Sequence, residues 1–134
     1  MVTIRTEKLP IQSEEDIVRV RQVVRVWCVD LRFSLVEQTK MVTAASELAR
    51  NARVHGGGGT VELETIEHNG RRGLRLTFKD HGPGIADIEA AMKDGFTSGR
   101  GLGLGLGGAK RLVNEFEIAS QAGGGTTVRI VRWR

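Results

Sequence analysis

Apolar residues recur along this chain with two periods, and the changes between them divide it into elements. Residues 2–8 alternate, with Val2, Ile4 and Thr6 on one side and Thr3, Arg5 and Glu7 on the other, which is the period of a short strand. Pro10 has no N–H for a ladder and is expected to end it. Ser13 and Asp16 have the spacing of a capping box, and Ile17, Val20, Val24, Trp27 and Leu31 then fall at helical spacing. Ser34 and Glu37 repeat the capping signal ahead of a second helix over 35–54. Its apolar face is Met41, Ala45, Leu48, Ala49 and Ala52. Glu47 and Asn51, one turn apart, are expected to project together from the opposite side with Arg50 beside them. Four glycines, Gly56 to Gly59, close the helix.

The period then returns to two. Val61, Leu63 and Thr65 alternate with Glu62 and Glu64, Asn69-Gly70 marks a hairpin turn, and Leu74, Leu76 and Phe78 alternate with Arg75, Thr77 and Lys79. The second strand delivers Asp80 at its end, followed by His81-Gly82-Pro83-Gly84-Ile85, a sharp turn beside a carboxylate. A short helical piece spans 87–92, and 93–100 reads as a mobile segment of small and polar residues around Phe96. Ala109, Leu112, Val113 and Phe116 predict another helix. A short strand at 118–120, a turn at Gly123-Gly124-Gly125 and a last strand at 126–133 follow, the last with Val128, Ile130 and Arg132 on one face. Hairpin strands with helices gathered elsewhere give one α+β domain over residues 1–134. The expected architecture is a two-layer sandwich, with helices on one face of a mixed, mostly antiparallel sheet. Its outer face is polar, carrying Glu62, Glu64, Arg75, Lys79 and Arg129.

Composition narrows the function classes. A hydrophobic share of 40% with no long apolar run gives an ordinary core and no membrane-spanning helix. The first residues hold no signal-peptide core, and the lone Cys28 has no disulfide partner in the chain, so a cytoplasmic protein is expected. Cys28 lies among apolar helix residues and reads as a small core side chain. The net charge of +4 is spread along the chain, and Tyr is absent, which argues against a nucleic-acid partner and for an anionic ligand or an acidic protein surface.

The most informative stretch is Arg100-Gly101-Leu102-Gly103-Leu104-Gly105-Leu106-Gly107-Gly108, running into Ala109-Lys110. A Gly-rich loop feeding a helix lets backbone N–H groups approach a phosphate. Interleaved leucines distinguish it from a linker. It has no Gly-Lys-Ser/Thr ending, so it is not a Walker A loop, and it does not follow a first strand, so it is not a dinucleotide fingerprint.

In chain order there is thus a helix with Glu47-x-x-x-Asn51, an Asp80-x-Gly82-x-Gly84 turn and a Gly loop. This set resembles the Bergerat-fold (GHKL) ATPases of the gyrase, histidine-kinase and MutL superfamily. Ser46-Glu47-Leu48-Ala49-Arg50-Asn51 and Asp80-His81-Gly82-Pro83-Gly84-Ile85 with the Gly-Leu repeats resemble, more narrowly, the small switch kinases of the RsbT type. The resemblance covers nearly the whole chain. It implies binding of ATP and Mg²⁺ and phosphorylation of a STAS-domain antagonist protein on Ser or Thr. It further implies a role in partner switching, with a PP2C-type phosphatase or sigma-factor regulator as a second partner.

On this resemblance Asp80 accepts a hydrogen bond from the adenine amine, and Gly82, Gly84 and Ile85 bring the turn close to the base. Asn51 ligates Mg²⁺, which needs only one or two protein oxygens besides phosphate and water. Glu47 is the catalytic base or positions the attacking hydroxyl. Gly101, Gly103, Gly105, Leu106 and Gly107 border the nucleotide, Thr126 stands near the base, and Arg100 reaches the γ-phosphate. Arg50 faces the phosphates, the partner or Glu47. Lys110 is either a second phosphate cation or an exposed residue, His55 sits near the phosphates, and His81 is an exposed turn residue. Each has a plainer alternative: Asp80 as a turn cap, Asn51 as a helix-end residue, Glu47 as a solvated carboxylate paired with Arg50, Thr126 as an ordinary strand residue. The rival function is a nucleotide-dependent anti-sigma or phosphatase-regulating module that binds with little turnover. A histidine-kinase catalytic domain or a gyrase-like clamp would require further helices or a transducer domain.

Overall fold

The computed structural model describes residues 1–93 and 105–134. Its elements in chain order are β1 (Val2–Ile11), α1 (Glu14–Asp30), α2 (Leu35–Val54), β2 (Gly59–His68), β3 (Arg71–Asp80), α3 (Ile88–Ala91), α4 (Gly105–Arg111), β4 (Glu115–Ser120) and β5 (Thr126–Trp133). The five strands form one sheet in the order β1-β2-β3-β5-β4, with α1 and α2 packed on one face. Every pairing among the described residues is antiparallel, where a mixed, mostly antiparallel sheet was expected.

Local chemistry explains the boundaries. Ser13 accepts from the Asp16 N–H while Asp16 accepts from the Gln12 N–H, and Ser34 and Glu37 form a reciprocal capping box. Helix α1 ends with the Phe33 N–H on the Cys28 carbonyl and Arg32 in the left-handed region (φ 61), a Schellman-type stop without glycine. Asn69 and Gly70, both at positive φ, turn β2 into β3.

Two sequence expectations fail for identifiable reasons. Pro10 does not end β1, which continues to Ile11. The strand is at the sheet edge, where Pro is tolerated. A bulge between Thr3 and Arg5 shifts the faces, so Leu9 and Ile11 are buried while Val2 and Ile4 are exposed. The helix expected to reach Phe116 stops at Arg111, and β4 starts at Glu115. The Leu112 carbonyl is met by Arg132 Nη1 at 3.0 Å.

The core lies between the sheet and the helices. Ile11, Ile17, Val20, Val24, Trp27, Met41, Leu63, Leu74, Leu76 and Ile130 are buried. Cys28 is buried among them, and desolvation pushes its thiol up to about 12, the behaviour of an inert core residue. The outer sheet face is polar as expected. Glu64 and Arg75 pair there in two bonds of 2.9 and 3.1 Å, and Thr3 donates to Glu64 at 3.2 Å. Arg75 holds the Glu64 carboxyl below the usual carboxylate range.

Candidate nucleotide site

A cavity of about 400 Å³ opens between α2, the turn after β3, α3, α4 and the start of β5. That volume suits a small organic ligand. Its walls are largely apolar, with Leu48, Ala52, Phe78, Leu106 and Val128, and its polar lining includes Asn51, His55, Asp80 and Thr126. Sequence reasoning named Asn51, Asp80, Gly84, Ile85, Leu106 and Thr126 as ligand-facing, and all six line this cavity.

Asp80 is fixed by the end of β3. Its Oδ1 accepts two backbone N–H groups, from Gly82 at 3.0 Å and Thr126 at 3.2 Å. No donor among the described residues reaches Oδ2. One carboxylate oxygen therefore organises the turn, and the described residues leave the other its acceptor capacity. The turn is pinned again farther on. The Ile85 N–H donates to Ser120 Oγ at 2.7 Å, and the Gly123 N–H to the Pro83 carbonyl at 2.7 Å.

The glycines of this turn are also required by packing within the protein. Gly84 is at φ +80, and a Cβ there would run into the Gln121 carbonyl. A Cβ at Gly82 would meet the Gly56 backbone at the end of α2. Gly82 does not line the cavity. Both residues let the turn pack against other backbone segments of the protein, and the ligand space is set by that packing.

Helix α2 supplies the other polar group. Asn51 is half-buried and lines the cavity, and His55 caps the helix beside it. Glu47, expected on the side of α2 opposite its apolar face, is 4% exposed and has a partner within the protein, which excludes its plainer alternative, a solvated carboxylate on an open face. The physical reason is the position of α2, which is in contact with α1, α4 and the sheet, so its buried arc widens to include Val42, Ala44 and Glu47. Arg50 is half-buried and does not line the cavity. Lys110 is exposed on α4, and His81 is exposed. Gly105 and Gly107 are buried in α4, while Arg100, Gly101, Gly103 and the segment around Phe96 lie outside the described residues.

Sequence reasoning missed Ser120. A lone serine at a strand end carries no signal of its own; the one clue was its place just ahead of the Gly turn and Thr126.

Residues 11–132 match the histidine kinase-like ATPase domain. The chain belongs to this family. Over 123 residues it is 44% identical to the serine/threonine-protein kinase RsbT of Bacillus subtilis (strain 168), covering 92% of each chain. It is 31% identical over 119 residues to an anti-sigma F factor of Anoxybacillus flavithermus, covering 84% of this chain and 80% of that one. Within the ATPase family it therefore sits with the RsbT-type serine/threonine kinases. Among solved structures, one of RsbU and RsbW domains from Mycobacterium tuberculosis superposes with a TM-score of 0.66 at 22% identity, covering 98% of this chain and 33% of that one. The mycobacterial sensor histidine kinase MprB gives 0.55 at 21%, covering 96% and 97%. At these identities the likeness is one of fold. It agrees with a five-stranded antiparallel sheet carrying its helices on one face. No helix among the described residues is long and apolar enough to cross a membrane.

Proposed function

We propose that this protein is an ATP- and Mg²⁺-dependent serine/threonine kinase acting in the cytoplasm. Its substrate on this reading is a small STAS-domain antagonist protein, within a partner-switching pathway. The observation that carries the reading is the polarity of the cavity. Asp80, whose Oδ2 takes no bond from the described residues, lines a mostly apolar space that also has Asn51 in its lining.

These residues fit a purine nucleotide. Asp80 Oδ2 accepts from the exocyclic amine, and Phe78, Ile85, Leu106 and Val128 enclose the base and keep out water. The Asn51 side-chain oxygen ligates Mg²⁺, which accepts few protein ligands. Bound ATP with Mg²⁺ supplies the phosphoryl group and charge neutralisation, and the protein contributes mainly positioning. Glu47, one turn from Asn51 on α2, takes the proton of the attacking Ser or Thr hydroxyl or holds that hydroxyl in line. Arg100 and the glycines at 101 and 103 are assigned the γ-phosphate end. Phosphate added to the partner weakens the complex through its charge, releasing the kinase for a second partner such as a PP2C-type phosphatase.

The test is to mix the protein with a STAS-domain protein encoded beside it, add ATP·Mg²⁺ and follow the partner by intact-mass spectrometry. A single phosphate on a serine or threonine is expected. Glu47→Ala is expected to keep ATP affinity and lose transfer by about a hundredfold or more; undiminished transfer would remove Glu47 from the mechanism. The similarity to an anti-sigma F factor favours one second reading, a sequestering module. Stable nucleotide-dependent complex without phosphate on the partner would select it.

A further inference from the structure

Ser120 ends β4 and does not line the cavity, yet it joins two residues that do. Its Oγ receives the Ile85 N–H at 2.7 Å, lies 2.8 Å from Thr126 Oγ1 and lies 3.2 Å from the Gly125 carbonyl oxygen. A serine hydroxyl has one proton and two lone pairs. The Ile85 N–H can only donate and the Gly125 carbonyl can only accept. All three contacts are made together in one arrangement: Ser120 gives its proton to Gly125, and Thr126 gives its proton to Ser120. Thr126 Oγ1 then has only lone pairs left for the cavity. The reverse direction would leave the Gly125 carbonyl with the longer bond from the Gln121 N–H at 3.4 Å alone.

We infer that Ser120 is a positioning residue for nucleobase selection, fixing Thr126 as a hydrogen-bond acceptor beside Asp80. Thr126 and Asp80 are adjacent through the Thr126 N–H bond to Oδ1 at 3.2 Å. The base end of the cavity then offers acceptors from both residues. An adenine amine carries two hydrogens, one for each. Guanine presents its O6 at the same place, a third acceptor facing the two that Asp80 and Thr126 offer, and a buried polar group set against acceptors is costly. The inference rests on the nucleotide reading above and deepens it: that reading assigns Asp80 and Thr126 to the base, and this one assigns the direction of the proton between Thr126 and Ser120.

The experiment is calorimetric titration of ADP and GDP into the full chain and into Ser120→Ala, Ser120→Thr, Thr126→Val and Asp80→Asn. The wild-type chain is expected to prefer ADP. In Ser120→Ala the Thr126 hydroxyl is free to turn its proton into the cavity, so ADP binding weakens, GDP binding gains and the preference narrows by about tenfold. Ser120→Thr keeps the hydroxyl and is expected to keep the preference, and Thr126→Val is expected to narrow it by a similar factor. Equal losses for both nucleotides in Ser120→Ala would reduce Ser120 to a structural role and overturn the inference, as would Ser120→Thr behaving like Ser120→Ala. A wild-type chain that binds ADP and GDP alike, with Asp80→Asn unchanged, would overturn the nucleotide reading itself. A strong preference that depends on Asp80 but not on Ser120 would overturn this inference alone.

Discussion

Two segments that border the cavity are built in opposite ways. The turn after β3 has no regular structure yet is pinned by named bonds: Gly82 and Thr126 to Asp80, Ile85 to Ser120, and Gly123 to Pro83. Helix α4 has regular structure but is seven residues long and carries glycine at 105, 107 and 108. Each interior glycine costs about 1 kcal/mol relative to alanine, so α4 owes its helicity to packing against α2 rather than to propensity. Regularity is thus a poor guide to which segment specific bonds hold in place. The irregular segment presents the preorganised polar group, and the regular one contributes small buried residues that allow close approach. On the proposed function, such a division would serve a site that reads a base at one end and carries out transfer at the other.

The comparison can be broken most severely at Gly84. Its φ of +80 and the Gln121 carbonyl beside it leave no room for a side chain. Gly84→Ala is expected to lower unfolding free energy by roughly 2–4 kcal/mol and to weaken nucleotide binding, measured by chemical denaturation and calorimetry. Near-wild-type stability would mean that the turn is looser than its bonds imply.

A control on the far face of the sheet separates pinning of the turn from general sheet stability. Glu64 pairs with Arg75 there, and its folded-state carboxyl is depressed. A depressed carboxyl stabilises the fold above its unfolded pKa, and the contribution is lost as pH falls through the folded value. Glu64→Gln is therefore expected to cost about 1 kcal/mol at neutral pH and little below the ordinary carboxylate range, with nucleotide affinity unchanged throughout. A cost that persists in acid would assign the loss to packing. The smallest effect is expected on α4. Lys110 is exposed, so Lys110→Ala should move stability by less than about 0.5 kcal/mol. A clear loss of ATP affinity in that variant, with stability intact, would show Lys110 to be a phosphate cation.

Legibility in the sequence followed the range of the interaction responsible. Capping residues act within one turn, and Ser34 with Glu37 located the start of α2 to the residue. Asn69-Gly70 likewise located the hairpin. The cavity-lining set was legible because Asp80, Gly84 and Asn51 belong to a recognisable spaced pattern. Burial of Glu47 was not, because it depends on what else packs against α2, and a polar residue on a helix gives no sign of that. The end of α4 was misread because Leu112, Val113 and Phe116 satisfy helical spacing although Phe116 and Ile118 also satisfy the strand period that prevails. Ser120 could not be singled out, since its importance lies in contacts with Ile85 and Thr126 that only the folded chain creates. Pro10 showed the same limit, a residue hostile to inner strands placed where the edge accepts it.

The measurement that bears most directly on the account is ATP·Mg²⁺ affinity of the wild-type chain against Asp80→Asn, with melting temperature taken alongside. Removing the charge and turning one acceptor into a donor should weaken binding by about ten- to a hundredfold while the chain stays folded. Equal affinity in the two proteins would contradict the assignment of Asp80 to the base and, with it, the reading of the cavity as a nucleotide site.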